Sequence, residues 1–316
     1  MRKSIHILMG FVIWGLFTAA FVPGLEGRES GKPFRVVCTI LPVYSLTLNV
    51  VGKTPGVQVD LLLPAHQGCP HNYDLTPGDL IKMTRADLII ANGLGMEEFL
   101  DQFLKQAGSK VPVILAAEKI QPILNRPEPA HSDHGKSKTG QRHDHADLMN
   151  GHAWVSPRAA AIMVRTIAEG LSLKDPAHAR DYGLNAQEYS GRLEGLFQEM
   201  QQVVARARNK KILAFHDILA YLARDTGLTM VGVIQTQLGV EPSPKVLARL
   251  ARKVKNDRVA TIFSEPQYSD KVAQTLSRET GVPVFEMDPV ATGKAAADTY
   301  ENAMKKNLEI FRKAFK

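Results

Sequence analysis

Five of the ten histidines in this chain fall in one stretch, His131 to Pro157, reading HSDHGKSKTGQRHDHADLMNGHAWVSP. Asp, Gly, Ser and Lys fill most of it, and a segment with so little apolar surface to bury predicts a loop. Its end differs in kind. In Gly-His-Ala-Trp-Val-Ser-Pro, Ser156 suits a helix N-cap and Pro157 the first helical position. The stretch thus divides into a loose imidazole-rich loop, with His131, His134, His143 and His145, and one firmly placed imidazole, His152. Imidazole is a common ligand for zinc and its neighbours, and short His-rich tracts read as metal-binding. Metal is the chemistry this pattern suggests first.

The elements that must position such donors alternate. Short β-branched runs at residues 34–40, 57–63, 87–91 and 111–116 predict strands, with helical spacing over 43–51, from Pro77, and over 96–106. A helix follows from Pro157 to about residue 171. Residues 175–208 then form one long helical pattern, with Asp175 as cap and Leu193, Leu196, Phe197, Met200, Val203 and Val204 at three- and four-residue steps. At about 1.5 Å per residue it would run roughly 50 Å, which reads as a bridge rather than a core element. Strands at 211–215, 229–234, 259–263 and 282–285 alternate with helices in the second half, and a last helix starts near Ala295. The expectation is an α/β chain of two lobes, 34–174 and 209–316, each with a mostly parallel four-stranded sheet flanked by helices.

Against that frame the scattered donors share a position. His71 follows the second strand, His152 the fourth, His216 the first strand of the second half, and Asp288 the last. In open parallel sheets, ligands bind beyond the carboxyl ends of the strands. Three imidazoles and a carboxylate make a reasonable zinc shell. Each also has a plainer reading: a lone loop histidine is usually a solvated side chain, and Asp288 before Pro289 suits an Asx turn. His66 competes with His71, and Cys69 lies two residues from it. Trp154 and Tyr73 read as wall or core aromatics, and His178 as an exposed residue of the long helix.

Gly68-Cys69-Pro70-His71-Asn72-Tyr73-Asp74-Leu75-Thr76-Pro77, Asn92-Gly93-Leu94-Gly95-Met96-Glu97, Gly151-His152-Ala153-Trp154-Val155-Ser156-Pro157, Phe215-His216-Asp217, Glu241-Pro242-Ser243-Pro244, Ser264-Glu265-Pro266-Gln267 and Met287-Asp288-Pro289 occur in that order. Together they resemble the metal-specific solute-binding proteins of ABC importers, the zinc and manganese cluster of periplasmic binding proteins, over residues 34–316. The resemblance implies two lobes joined by one rigid helix, here 175–208, with the metal in the cleft between them. It also implies His71, His152, His216 and Asp288 as the ligands, which sets His66 aside. Two positions depart from the pattern. Pro70 stands where some zinc-binding relatives carry a Glu, and Ser156 where many relatives carry an Asp.

Manganese-type relatives place a carboxylate at the position of His216, and three neutral imidazoles favour zinc over manganese. The expected cargo is therefore Zn2+, with manganese or iron as the alternative, and the expected partners are the permease and ATPase of an ABC importer. The loop histidines would collect zinc weakly. Affinity should fall as imidazoles protonate, below about pH 6.5. A zinc hydrolase is the rival class, with Glu265 as its best general base, but no HExxH occurs and a structural ion pair explains Glu265 equally well. The chain is expected to be a monomer and not an enzyme. Its net charge of +7 comes from scattered Lys and Arg, which argues against a nucleic-acid surface. Arg2 and Lys3 before the apolar run from Ile5 to Val22 predict a signal peptide over residues 1–27 and a periplasmic protein, although that run is also long enough for an uncleaved anchor. Cys38 reads as a buried thiol and Cys69 as a loop thiol, with pairing allowed in an oxidising compartment.

Overall fold

The computed structural model describes residues 32–68, 73–106, 110–124, 149–235 and 242–316. The predicted signal segment, His71, His131, His134, His143, His145 and Cys69 lie outside the described residues. Two four-stranded sheets are formed, every neighbouring pair parallel. In the first, β1 (Phe34–Cys38), β2 (Val57–Leu61), β3 (Leu88–Ala91) and β4 (Val113–Leu115) take the order β2-β1-β3-β4. In the second, β5 (Lys211–Ala214), β6 (Thr229–Val233), β7 (Thr261–Ser264) and β8 (Val284–Glu286) take the matching order β6-β5-β7-β8. Central strands of parallel sheets are covered on both faces and so carry continuous apolar runs. Leu-Ile-Ile-Ala of β3 and Thr-Ile-Phe-Ser of β7 are buried at every position accordingly.

Each sheet reverses its winding direction between its two central strands, and that reversal opens a crevice at their carboxyl ends. Thr39 follows β1 and Asn92 follows β3 at the first crevice; His216 and Glu265 follow β5 and β7 at the second. At the first crevice the buried Glu97 carboxylate accepts bonds from Thr39 Oγ1 (2.7 Å), Asn92 N (2.7 Å) and Gly93 N (3.0 Å), which fixes the loop after β3. Burial still pushes its carboxyl above the usual range, against those bonds.

The crossover helices include α1 (Leu41–Val51), α2 (Pro77–Thr84) and α3 (Glu98–Gln106) in the first half, followed by α4 (Pro157–Lys174). Thr76 and Asp79 form a reciprocal capping box at the start of α2, and Ser156 caps α4 through Ala159 N. The long pattern resolves into a 3-10 turn, Pro176–His178, and one helix, α5 (Ala179–Arg206). Asp175 makes no side-chain cap; its carboxylate instead accepts Tyr182 Oη and holds His178 Nδ1, each at 2.7 Å, so His178 is half-buried rather than exposed. Tyr182, Ala186, Tyr189, Leu193, Leu196, Phe197, Met200 and Val204 form a buried stripe that packs on α4, α1 and the C-terminal helix. So α5 is a spine of the core as well as a link between the sheets. Gly170 lets α4 press on β4, because a Cβ there would lie 2.2 Å from Ile114 Cδ1.

In the second half, α6 (Ala220–Thr226), α7 (Pro244–Asn256) and α8 (Lys271–Thr280) cover the sheet. Alternate residues of β5 and the residue after it serve different cores: Ile212 and Ala214 join the large core shared with the first sheet, while Leu213 and the following Phe215 join a smaller one with Ile234, Leu250 and Leu276. The last helix, α9 (Thr299–Ala314), begins later than its sequence suggests, because residues before it are tied to the first half. Ser45 Oγ and Asn49 Nδ2 of α1 both donate to Ala297 O, at 3.0 and 2.7 Å. The C-terminal helix therefore straddles both lobes. Cys38 is fully buried at the end of β1, and burial pushes its thiol up to about 12.

Candidate metal centre

His216 continues β5 in extended backbone and turns into the short helix Asp217–Leu219, whose Ile218 and Leu219 are buried anchors. Its Nδ1 lies 2.5 Å from Glu265 Oε1, at the end of neighbouring β7. A carboxylate oxygen only accepts, so Nδ1 carries a proton, and in the neutral ring Nε2 then presents the lone pair. That Nε2 is buried and has no hydrogen-bond partner among the described residues. Phe215 and Tyr268 stack beside it with centroids 5.1 Å apart, and Tyr268 meets the His216 ring edge-on at 6.0 Å.

His152 is built from the other side. Asn150 Oδ1 accepts His152 N at 2.9 Å and lies 3.1 Å from His152 Nδ1, so Nε2 is the ring nitrogen not facing Asn150. Asn150 is held in turn by Tyr221 Oη on its carbonyl (2.8 Å), and its Nδ2 donates to Asp217 O at 3.0 Å. One amide thus links the segment of His152 to the residue after His216. Between them, Gly151 sits close against Met96, where a Cβ would lie 2.6 Å from Met96 Cε and 3.2 Å from its Cβ, and Asn92 Nδ2 binds its carbonyl at 2.8 Å. The result is two imidazoles with centroids 5.4 Å apart and rings nearly perpendicular. Upstream, Leu124 and Met149 form an antiparallel bridge next to Asn150.

Asp288 lies two residues past β8, in a loop gripped by Asn307 of α9 through both its backbone N and O (3.0 and 2.7 Å). Its Oδ1 accepts Val290 N at 2.8 Å, an Asx turn, and burial raises its carboxyl above the usual range. Trp154, two residues past His152 and almost fully buried, donates Nε1 to Pro289 O at 2.8 Å and ties this loop to the other donor segment. His152 and His216 are brought together; Asp288 is placed on a neighbouring loop. Among the described residues no three His, Cys, Asp or Glu side chains are grouped to hold a metal. His71 lies between the described residues Gly68 and Tyr73; on its downstream side Tyr73 Oη donates to Asp79 (2.8 Å) and its ring meets Phe99 edge-on.

The sequence reading overlooked one orienting residue, Asn150. Glu265, which the sequence offered equally as a hydrolase base or as half of a structural ion pair, has both oxygens engaged, by His216 and by Gln267 Nε2 at 2.7 Å, as the second option expects. Asn150 carried no signal beyond its place before Gly151. Glu265 carried one, since it follows the strand beside β5.

Similarity to known proteins agrees with this architecture. The chain is 30% identical over 288 residues to the high-affinity zinc uptake system protein ZnuA of Bacillus subtilis, covering 90% of this chain and 88% of that protein. It is 26% identical over 305 residues to the iron-binding protein YfeA of Yersinia pestis, covering 95% and 92%. It is 28% identical to the zinc-binding lipoprotein AdcA of Streptococcus pneumoniae, covering 90% of this chain but spanning only 56% of that longer protein. Zn(II)-bound AdcAII of S. pneumoniae, as a mutant variant, superposes with a TM-score of 0.74 at 26% identity, covering 90% of this chain and all of that one. With the family model of the periplasmic component A of zinc-uptake complexes matching residues 36–314, this chain belongs to the ZnuA family.

Proposed function

We propose that the chain captures a zinc ion between its lobes and delivers it to the permease and ATPase of an ABC importer. Four donors would hold the ion: His152, His216, Asp288, and His71 from outside the described residues. The observation that carries this reading is the buried, unpartnered Nε2 of His216 beside the His152 ring. Burying a nitrogen lone pair without a partner costs free energy, and a cation recovers it. Nitrogen donors with one carboxylate suit zinc better than manganese, which prefers more oxygen. Similarity to YfeA supports iron as the second reading. Glu265, spent on His216 and Gln267, gives no support to a hydrolase base.

On the same reading, residues 1–27 are a signal peptide, 34–174 and 209–316 are the lobes, and 175–208 links them. The protein works as a periplasmic monomer. Among the described residues no helix is long and apolar enough to cross a membrane. His131, His134, His143 and His145 form an accessory zinc-collecting loop, in the stretch between the bridged residues Leu124 and Met149. Competitive titration of metal-free protein with zinc, iron(II) and manganese tests the assignment: zinc should bind one tight site and displace the others. Deleting residues 131–145 should leave that site unchanged; loss of tight zinc binding on deletion would overturn the accessory role.

A further inference from the structure

The two imidazoles of the centre lean on chemically different partners. Behind His152 stands a neutral amide, Asn150, at 3.1 Å; behind His216 stands a carboxylate, Glu265, at 2.5 Å. Glu265 is 2% exposed, and the ionisable group its carboxylate meets among the described residues is the His216 imidazole. A buried carboxylate calls for compensating positive charge. Gln267 gives its NH2 group to the second oxygen, although this leaves its own Oε1 buried without a partner among the described residues. Donors are thus drawn to Glu265, and the remaining compensation has to arrive through the imidazole. Carboxylates behind metal-bound histidines fix the tautomer and raise ligand basicity.

We infer that Glu265 is a positioning residue that makes His216 a stronger imidazole donor than the ring would be without that carboxylate. The inference rests on the proposed zinc site. In the metal-free protein, Glu265 holds the proton on Nδ1 of His216 and keeps Nε2 aimed at the cation's position. When zinc binds at Nε2, the ring's positive character grows and the carboxylate stabilises it through the Nδ1–H bond.

Glu265→Gln keeps the shape and an acceptor for Nδ1–H while removing the charge. Titration with zinc against a chromogenic chelator should show affinity weakened about tenfold to a hundredfold. Long-range 1H–15N spectra of the metal-free wild type should show the Nδ1–H tautomer of His216, a readout that needs no variant to fold. An unchanged dissociation constant for Glu265→Gln, or an Nε2–H tautomer in the wild type, overturns the inference. His216→Ala separates this from failure of the site itself: wild-type zinc affinity in that variant would overturn the site reading.

Discussion

At the scale of single residues, the centre is a matter of which atom each side chain commits to its own lobe and which it leaves over. His216 commits Nδ1 to Glu265 and leaves Nε2 buried; Asp288 commits Oδ1 to Val290 N. His216→Ala should therefore raise the zinc dissociation constant at least a hundredfold while leaving far-UV circular dichroism unchanged. Asp288→Asn should also weaken zinc, yet the metal-free variant should be as stable as the wild type near neutral pH, because the raised carboxyl reports that its charge is costly where it sits. A thermal melt of both metal-free proteins checks this. Glu97 gives a pH prediction with a definite sign. Its folded carboxyl is raised by burial, so its contribution is fully present below the ordinary value of about 4.3 and is lost as pH rises through the folded value. Urea unfolding from pH 4 to 7 should show the advantage of wild type over Glu97→Gln shrinking with pH; an advantage that grows would contradict it. The positions of His152 and His216 after strands were legible in the sequence, but their orientation was not. The contact from His216 to Glu265 spans 49 residues and exists only because β5 and β7 are neighbours.

At the scale of elements, the strands were the most legible part, since strands of a parallel sheet covered on both faces carry near-continuous apolar, often β-branched runs. Helix starts were less so. Residues before α9 look helical but spend a carbonyl, Ala297 O, on Ser45 and Asn49 of α1, and the helix waits until Thr299. The length of α5 suggested a bridge, yet its apolar stripe is a full core face, because α4 is long enough to pack along it. Close helix–sheet packing makes its own prediction at Gly170. Gly170→Ala should lower stability by about 1–3 kcal/mol through overpacking against Ile114. Combining it with Ile114→Ala should cost less than the sum of the single changes, as contacting sites are not additive. Additive costs in urea denaturation would show that the contact is relieved elsewhere.

At the scale of the whole molecule, the two sheets do not stand apart. Ile212, Ala214, Phe263 and Met287 of the second half share one hydrophobic core with the first sheet, and α9 packs on both α5 and α1. Halves that share a core should unfold together, so calorimetry of the metal-free protein should give one transition with equal calorimetric and van't Hoff enthalpies. Zinc should raise its midpoint in proportion to the logarithm of free metal. The central claim is the donor set, and X-ray absorption spectroscopy at the zinc K-edge, on protein carrying one equivalent of zinc, tests it most directly. The account predicts four light ligands at about 2.0–2.1 Å, with multiple scattering from three imidazoles and one oxygen donor. A first shell of mostly oxygen, or one containing sulfur near 2.3 Å, would contradict it.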